Sequence, residues 1–506
     1  MVAGEVLMEL LEGIPPWILW PSVFLGIIFT LTYGYITWDY NYWKKRGVPT
    51  VKGSFPFGNF GDIFLMRQNS IDFYRKLYDR FEGQRYAGIM AVNEVVFMPR
   101  DPELIKSIMA KDFSHFHDRG FPSDENYDPI SMNLFSLNGR RWKTLRTKLS
   151  PTFSSGKMKA MFPLVRKCAE NLPKTIEREM SKYGDQMEFK ELFGRYLTDA
   201  IASVAFGVEG HSLEDPEAEM RAYGRRIFDP SFPNCLRNTI VMVAPYMCDK
   251  LGIHIFDPKA VQFFLKVVHS TVDYREKNGV NRPDFLQLLM TMKKENYEGS
   301  MTKAEIEAQC FFFFSAGSET SSSAVSFCIY ELAQNLDIQD ELRREVDGVL
   351  SSHGGEISYE SLSEMQLMER VLKETMRIYP PVSVLVRECT KPFVVPPANG
   401  NAPNGKPWKQ ETINGGLAID TGVRIQVPII GLHYDSNYFP NPEHFDPSRF
   451  TEDAIKSMRY GMLLAKASLA SLLSNFEFRP SEKCSKPLVM DKRAFFPISK
   501  EGIWVK

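Results

Sequence analysis

The sequence predicts a mainly α protein with a minor β region (α+β), carried on an N-terminal transmembrane anchor. Three observations predict it. Helical patterns punctuated by serine, proline and glycine fill most of the 506 residues. From Val384 to Ile430 the pattern changes to short apolar runs broken by turn signals. Between Gly13 and Trp38 there is no charged residue.

The composition narrows the function classes. With 61 Lys+Arg against 62 Asp+Glu the chain lacks the basic excess of a nucleic-acid-binding protein. Its 7 cysteines contain no C-x-x-C pair and read as reduced thiols facing a cytosol-like compartment. That sets aside disulfide scaffolds and zinc modules.

At the N-terminus, Pro15, Pro16 and Pro21 argue against a continuous helix before Trp20, whereas Pro21 suits a first helical position. A helix from Pro21 to Trp38 runs about 27 Å, close to the roughly 30 Å hydrocarbon core of a bilayer. Trp17, Trp20, Trp38, Tyr40, Tyr42 and Trp43 supply interfacial aromatics at its two ends. Glu5, Glu9 and Glu12 precede it and Lys44, Lys45 and Arg46 follow, which places the body of the protein in the cytosol. The acidic start is unlike that of a cleaved signal peptide. The chain therefore divides into a short lumenal N-terminus (1–20), an anchor (21–38), a Pro/Gly hinge (39–60) and a cytosolic body (61–506).

Within the body, Ile71–Phe81, Pro102–Lys111, Gly156–Tyr183 and Phe189–Phe206 have helical patterning. Thr302 and Glu305 form a capping box that opens a helix reaching about Leu336. Ser363–Ile378 is a further helix, stopped by Tyr379-Pro380-Pro381. Asn399-Gly400, Asn404-Gly405, Asn414-Gly415 and Thr421-Gly422 mark turns in the β region. Met458–Leu473 is helical again, and Asn475–Lys506 reads as strands and turns.

Four patterns carry chemistry. The long helix contains Ala316-Gly317-Ser318-Glu319-Thr320, in which a mid-helix glycine costs about 1 kcal/mol against alanine. The missing side chain would let a ligand approach the backbone, with the Thr320 hydroxyl and Glu319 carboxylate placed to move protons beside it. The plain alternative is helix packing, with hydroxyls bonded to the preceding turn. Glu374 and Arg377 lie three apart and can pair; such pairs usually sit at the surface and contribute well under 1 kcal/mol. Arg449, within Phe445-Asp446-Pro447-Ser448-Arg449-Phe450, could complete a buried Glu–Arg–Arg network. Trp142 and Arg146 share a helix face inside the basic run Arg140, Arg141, Lys143, Arg146 and Lys148. That run is either a solvated face or an anion clamp joined to a docking patch.

Together, the anchor, the hinge, W-x-x-x-R, A-G-x-E-T, E-x-x-R and F-x-P-x-R-F have the order and spacing of the microsomal cytochrome P-450 haem-thiolate monooxygenases, which the whole chain resembles. Ser150–Lys159 and Phe311–Ser323 look most like the insect detoxification group. The resemblance implies the cytochrome P-450 fold, with one large cytosolic domain at the endoplasmic reticulum membrane. It also implies oxidation of lipophilic small molecules such as xenobiotics, insecticides, hormones or other lipids, using O2. The electrons would come from an NADPH-dependent flavoprotein reductase, with cytochrome b5 as a further donor. Carried over by position, Trp142, Arg146 and Arg387 would hold a haem propionate. Ala316, Gly317, Glu319 and Thr320 would form the oxygen groove and proton relay, and Glu374, Arg377 and Arg449 a structural triad.

One part of the pattern is missing. The family carries F-x-x-G-x-R-x-C-x-G before its last long helix, and that cysteine is the iron ligand. Here Thr451–Ser457 leads directly to Met458-Arg459-Tyr460-Gly461, which resembles the helix after the loop. The break falls between Ser457 and Met458, so the chain offers no metal ligand there. Cys484 lies roughly 25 Å of helical rise beyond Met458. Cys168, Cys235, Cys248, Cys310, Cys328 and Cys389 also lack the loop context. The alternative function is therefore a haem-poor, inactive pseudoenzyme, a splice isoform or a truncated gene model. The shortened loop should also cost the following helix its packing. Phe116–Ser131 and Phe228–Phe232 are expected to line an apolar pocket.

Overall fold

The computed structural model describes residues 15–126, 128–294, 301–398, 400–402, 405–409, 416–450, 460–494 and 496–506. The expected break between Ser457 and Met458, and the turn residues Asn399, Asn404, Asn414 and Gly415, lie outside them.

Helix α1 (Pro16–Thr37) begins five residues before the expected start and contains Pro21. Pro16 takes an N-terminal position, where its missing N–H has no helical partner to lose. Pro21 then forfeits only one hydrogen bond. The 22-residue helix is about 33 Å long, enough for a bilayer core. It is the one described helix long and apolar enough to cross a membrane, and no part of it is buried.

Beyond it, α2 (Ser70–Arg80) is capped by Asn69, whose side chain accepts the Asp72 N–H. It is followed by β1 (Tyr86–Ala91) and β2 (Glu94–Pro99). Pro102–Lys111 is helical as expected, but its second half, Ser107–Lys111, is a π-turn. Then come α3 (Gly139–Leu149), α4 (Ser155–Ala169), α5 (Phe189–Ala205), α6 (Glu219–Phe228) and α7 (Phe232–Val243). The segment expected as one helix over 156–183 is two, because α4 ends before Pro173 opens a separate helix, Leu172–Tyr183.

Helix α8 (Lys303–Gln334) starts at the predicted capping box, with both reciprocal bonds formed between Thr302 and Glu305. Next are α9 (Gln366–Ile378), β3 (Leu385–Glu388), β4 (Arg424–Val427) and α10 (Tyr460–Leu473). The sheet runs β1-β2-β4-β3: β2 pairs in parallel with β4 and β3 antiparallel to it. Trp504–Val505 pairs with Met187–Glu188, so the tail does supply a strand.

The main core lies where α8 passes between α5, α9 and α10. Helix α10 has not lost its packing, contrary to expectation. Leu463, Leu464, Ala467, Leu469 and Leu472 are fully buried, and the Tyr460 ring lies 5.1 Å from that of Phe313 on α8. Buried Lys466 donates to the carbonyls of Leu362 and Met365, each at 3.0 Å, and pairs with Glu369. The helix keeps its seat because its own side chains fill the core between α8 and the Leu362–Glu369 segment.

Candidate haem-propionate clamp and relay helix

Trp142 stands on the first half of α3, where its ring stacks on His117 at 6.0 Å and lies 5.7 Å from Phe113. Its indole N–H is buried without a hydrogen-bond partner. Arg387 comes from β3, and its guanidinium sits 6.0 Å from the centre of the same Phe113 ring. One N–H of Arg387 donates to the Val386 carbonyl at 2.7 Å, while its buried Nε has no partner. Helix and strand thus bring Trp142 and Arg387 to one aromatic neighbour, each with a donor unspent.

A third cation joins them. Arg119 is half-buried over the Phe135 ring at 5.0 Å. Burial, reinforced by the charges of Arg387 and Arg146, depresses its pKa to about 10. Arg119 therefore lies within electrostatic reach of both Arg387 and the exposed Arg146, and none of the three forms a salt bridge among the described residues. The nearby Asp118 carboxylate is committed to His117 and to the Gly139 N–H. Repelling cations with orphaned buried donors call for an anion.

Arg119 carries no signal in the sequence patterns. Nothing in Phe116-His117-Asp118-Arg119-Gly120 has a motif spacing, and its convergence with Arg146 and Arg387 exists only in three dimensions. It also puts a half-buried cation into Phe116–Ser131, a segment expected to line an apolar pocket. Phe232, expected in the pocket wall, is 65% exposed as the first residue of α7. Phe228 instead packs against Phe256 and Phe496.

On α8, Thr320 donates its hydroxyl hydrogen to the Ala316 carbonyl at 2.6 Å, leaving the oxygen as an acceptor. The opposite side of that turn meets α5. A Cβ added at Gly317 would come 2.9 Å from Ile201 Cδ1, so what the glycine admits here is the neighbouring helix. Packing thus accounts for Gly317, in place of close ligand approach. Glu319 also points to α5, where Lys190 Nζ lies 2.7 Å from its Oε1 and donates to Ser322. Burial raises the Glu319 pKa, but Lys190, aided by Arg221, outweighs it and holds the carboxyl below its usual range. Lys190 is a second residue that the sequence patterns did not signal.

Glu374, Arg377 and Arg449 come together. Arg377 donates to both Glu374 oxygens at 2.8 Å and to the carbonyls of His433 and Pro442. Arg449 Nε lies 3.3 Å from Glu374 Oε1, which also accepts the Asp446 N–H. Glu374 and Arg377 are buried, so the surface-pair alternative does not hold here.

The same residues test the fit of a haem. The carboxylate side fits: Trp142, Arg119, Arg146 and Arg387 present donors and positive charge with no anion assigned to them. The iron side does not. Burial pushes Cys168 and Cys328 up to about 12 and Cys389 to about 11, and raises Cys235, Cys310 and Cys484 as well. Cys389 is also spent on the Lys391 carbonyl at 3.0 Å. These are protonated packing residues, unlike a thiolate ligand. His433 is committed through Nδ1 to the Arg377 carbonyl.

Comparison with known proteins places this geometry. Residues 51–399 and 406–463 match the family model described as Cytochrome P450. A probable cytochrome P450 6a14 of Drosophila melanogaster is 34% identical over 517 positions, covering 95% of this chain and 98% of that protein. Cytochrome P450 6j1 of Blattella germanica is 33% identical over 503 positions, covering 96% of each. Cytochrome P450 6A1 of Musca domestica is 32% identical over 510, covering 95% and 96%. Haem is the cofactor expected of such proteins. A family match along most of the sequence, and insect relatives a third identical nearly end to end, make this chain a member of the cytochrome P450 family that fits with its insect detoxification group.

Proposed function

We propose that this chain is a membrane-anchored monooxygenase scaffold for lipophilic small molecules that lacks the catalyst's thiolate, and is therefore haem-poor and without turnover. It resides in the endoplasmic reticulum membrane, with the body on the cytosolic side. The exposed cations Arg140 and Lys143 on α3 form part of the surface that meets the flavoprotein reductase and cytochrome b5.

Haem held by a thiolate would supply oxygen activation, since thiolate electron density favours O–O cleavage. Around it, Trp142, Arg119, Arg146 and Arg387 bind and orient paired carboxylates. Thr320 presents an oxygen that accepts a proton donor, while Glu319, turned towards α5 and kept ionised by Lys190, ties α8 to that helix. Glu374, Arg377 and Arg449 fix the loop that precedes the family's ligand segment.

The observation that carries the reading is that Phe450 and Tyr460 are separated by nine residues with no cysteine, histidine or glycine. The raised pKa values of six thiols elsewhere support it, since each favours the protonated form. The test is a reduced carbon-monoxide difference spectrum of the membrane-expressed chain. No thiolate band is expected in folded protein. A normal band would show that some cysteine reaches the iron and would overturn the reading.

A further inference from the structure

We infer that this chain is a receptor for the two carboxylates of a tetrapyrrole and is indifferent to the metal, so that it binds metal-free porphyrin dicarboxylates as tightly as iron-bearing ones. The inference rests on the missing-ligand reading above and takes it further, by separating the two sources of affinity that a haem protein normally combines.

The carboxylate half is intact. Trp142 Nε1 and Arg387 Nε are buried donors without acceptors, and both residues neighbour Phe113. Arg119 stands within electrostatic reach of Arg146 and Arg387 and is repelled by both until an anion arrives. Two negative charges on one molecule match this excess better than one.

Inorganic anions could meet the charge but not the surroundings. Phe113 and Trp142 are 5.7 Å apart, and Phe135 lies against Arg119 and 5.6 Å from Phe312 on α8. Phe312 is one turn before Ala316, so the clamp continues into the aromatic face of the long helix. A flat apolar body carrying two carboxylates uses both features.

The metal half has no counterpart. No cysteine or histidine lies between Phe445 and Lys483, and burial holds Tyr460 protonated against Phe313. Metal–ligand bonding therefore adds nothing that distinguishes the iron complex from the free base.

The test is fluorescence titration of the full-length chain in detergent with three probes: protoporphyrin IX, haemin, and the dimethyl ester of protoporphyrin IX. Protoporphyrin IX and haemin are expected to bind within about fivefold of each other, a difference of about 1 kcal/mol. The diester, which cannot pair with guanidinium groups, should bind about tenfold or more weaker. Trp142→Phe keeps the ring between Phe113 and His117 and removes only the N–H. It should weaken the diacid about tenfold and leave the diester unchanged.

Haemin binding more than about fivefold tighter than the free base would reveal an iron ligand, and would overturn both this inference and the missing-ligand reading. A diester as tight as the diacid, no saturable binding of any probe, or a Trp142→Phe variant that keeps full diacid affinity would overturn the inference alone.

Discussion

Glu374 has both carboxylate oxygens occupied, by Arg377 twice, by the Asp446 N–H and by the Arg449 charge. Removing its charge would leave two arginines without their counter-ion, one of them buried. Glu374→Gln is therefore expected to cost about 3–5 kcal/mol, read from the denaturant midpoint of the solubilised chain. Arg225→Ala, which breaks a surface pair with Glu217, should cost less than about 1 kcal/mol in the same assay. Beside the triad, His433 donates Nδ1–H to the Arg377 carbonyl at 3.0 Å. Burial, reinforced by the Arg377 charge, lowers its pKa from 6.5 to about 4. The unfolded chain thus binds this proton more readily, so His433 destabilises the fold as pH falls from 6.5 towards 4. The loss should approach about 1.4 kcal/mol per pH unit, and a His433→Asn variant should show a shallower acid slope in thermal melts. At this scale the motif residues were legible because their spacing survives in sequence. Arg119 and Lys190 were not, because each acquires its meaning from a partner more than a hundred residues away.

Helix α8 was legible from its capping box, since Thr302 and Glu305 make their reciprocal bonds locally. Thr302→Ala should cost about 1 kcal/mol, and hydrogen exchange should quicken in the first turn of α8 while its centre stays protected. Proline misled at α1, and after α4 its signal was passed over. Pro21 sits near enough to the start of its helix for the lost bond to be tolerated, whereas Pro173 opens a new helix after the chain has turned. Gly317 was open to two readings, because periodicity shows that a helix contains a glycine without showing which neighbour fills the gap. Ile201 on α5 supplies that answer. Helix α10 stayed docked because its own leucines, Tyr460 and Lys466 suffice to bury it.

For the molecule as a whole, the proposed lack of a ligand loop predicts that a scaffold with its core, triad and clamp in place should gain what such a loop supplies. Inserting a segment patterned F-x-x-G-x-R-x-C-x-G between Ser457 and Met458 is expected to restore the reduced carbon-monoxide band in the full-length protein. The same insertion with serine for cysteine should not. The sheet carries a different consequence, one that concerns synthesis. Val96 of β2 finds its parallel partner Arg424 of β4 328 residues later in the chain. At about 5–20 residues per second, β2 waits roughly 16–66 s for that partner after leaving the ribosome. Throughout that interval it is paired only with β1, beside a membrane in which α1 would already be lodged. The unpaired edge of β2 is the place where a nascent-chain chaperone, or a second half-made copy, would first take hold.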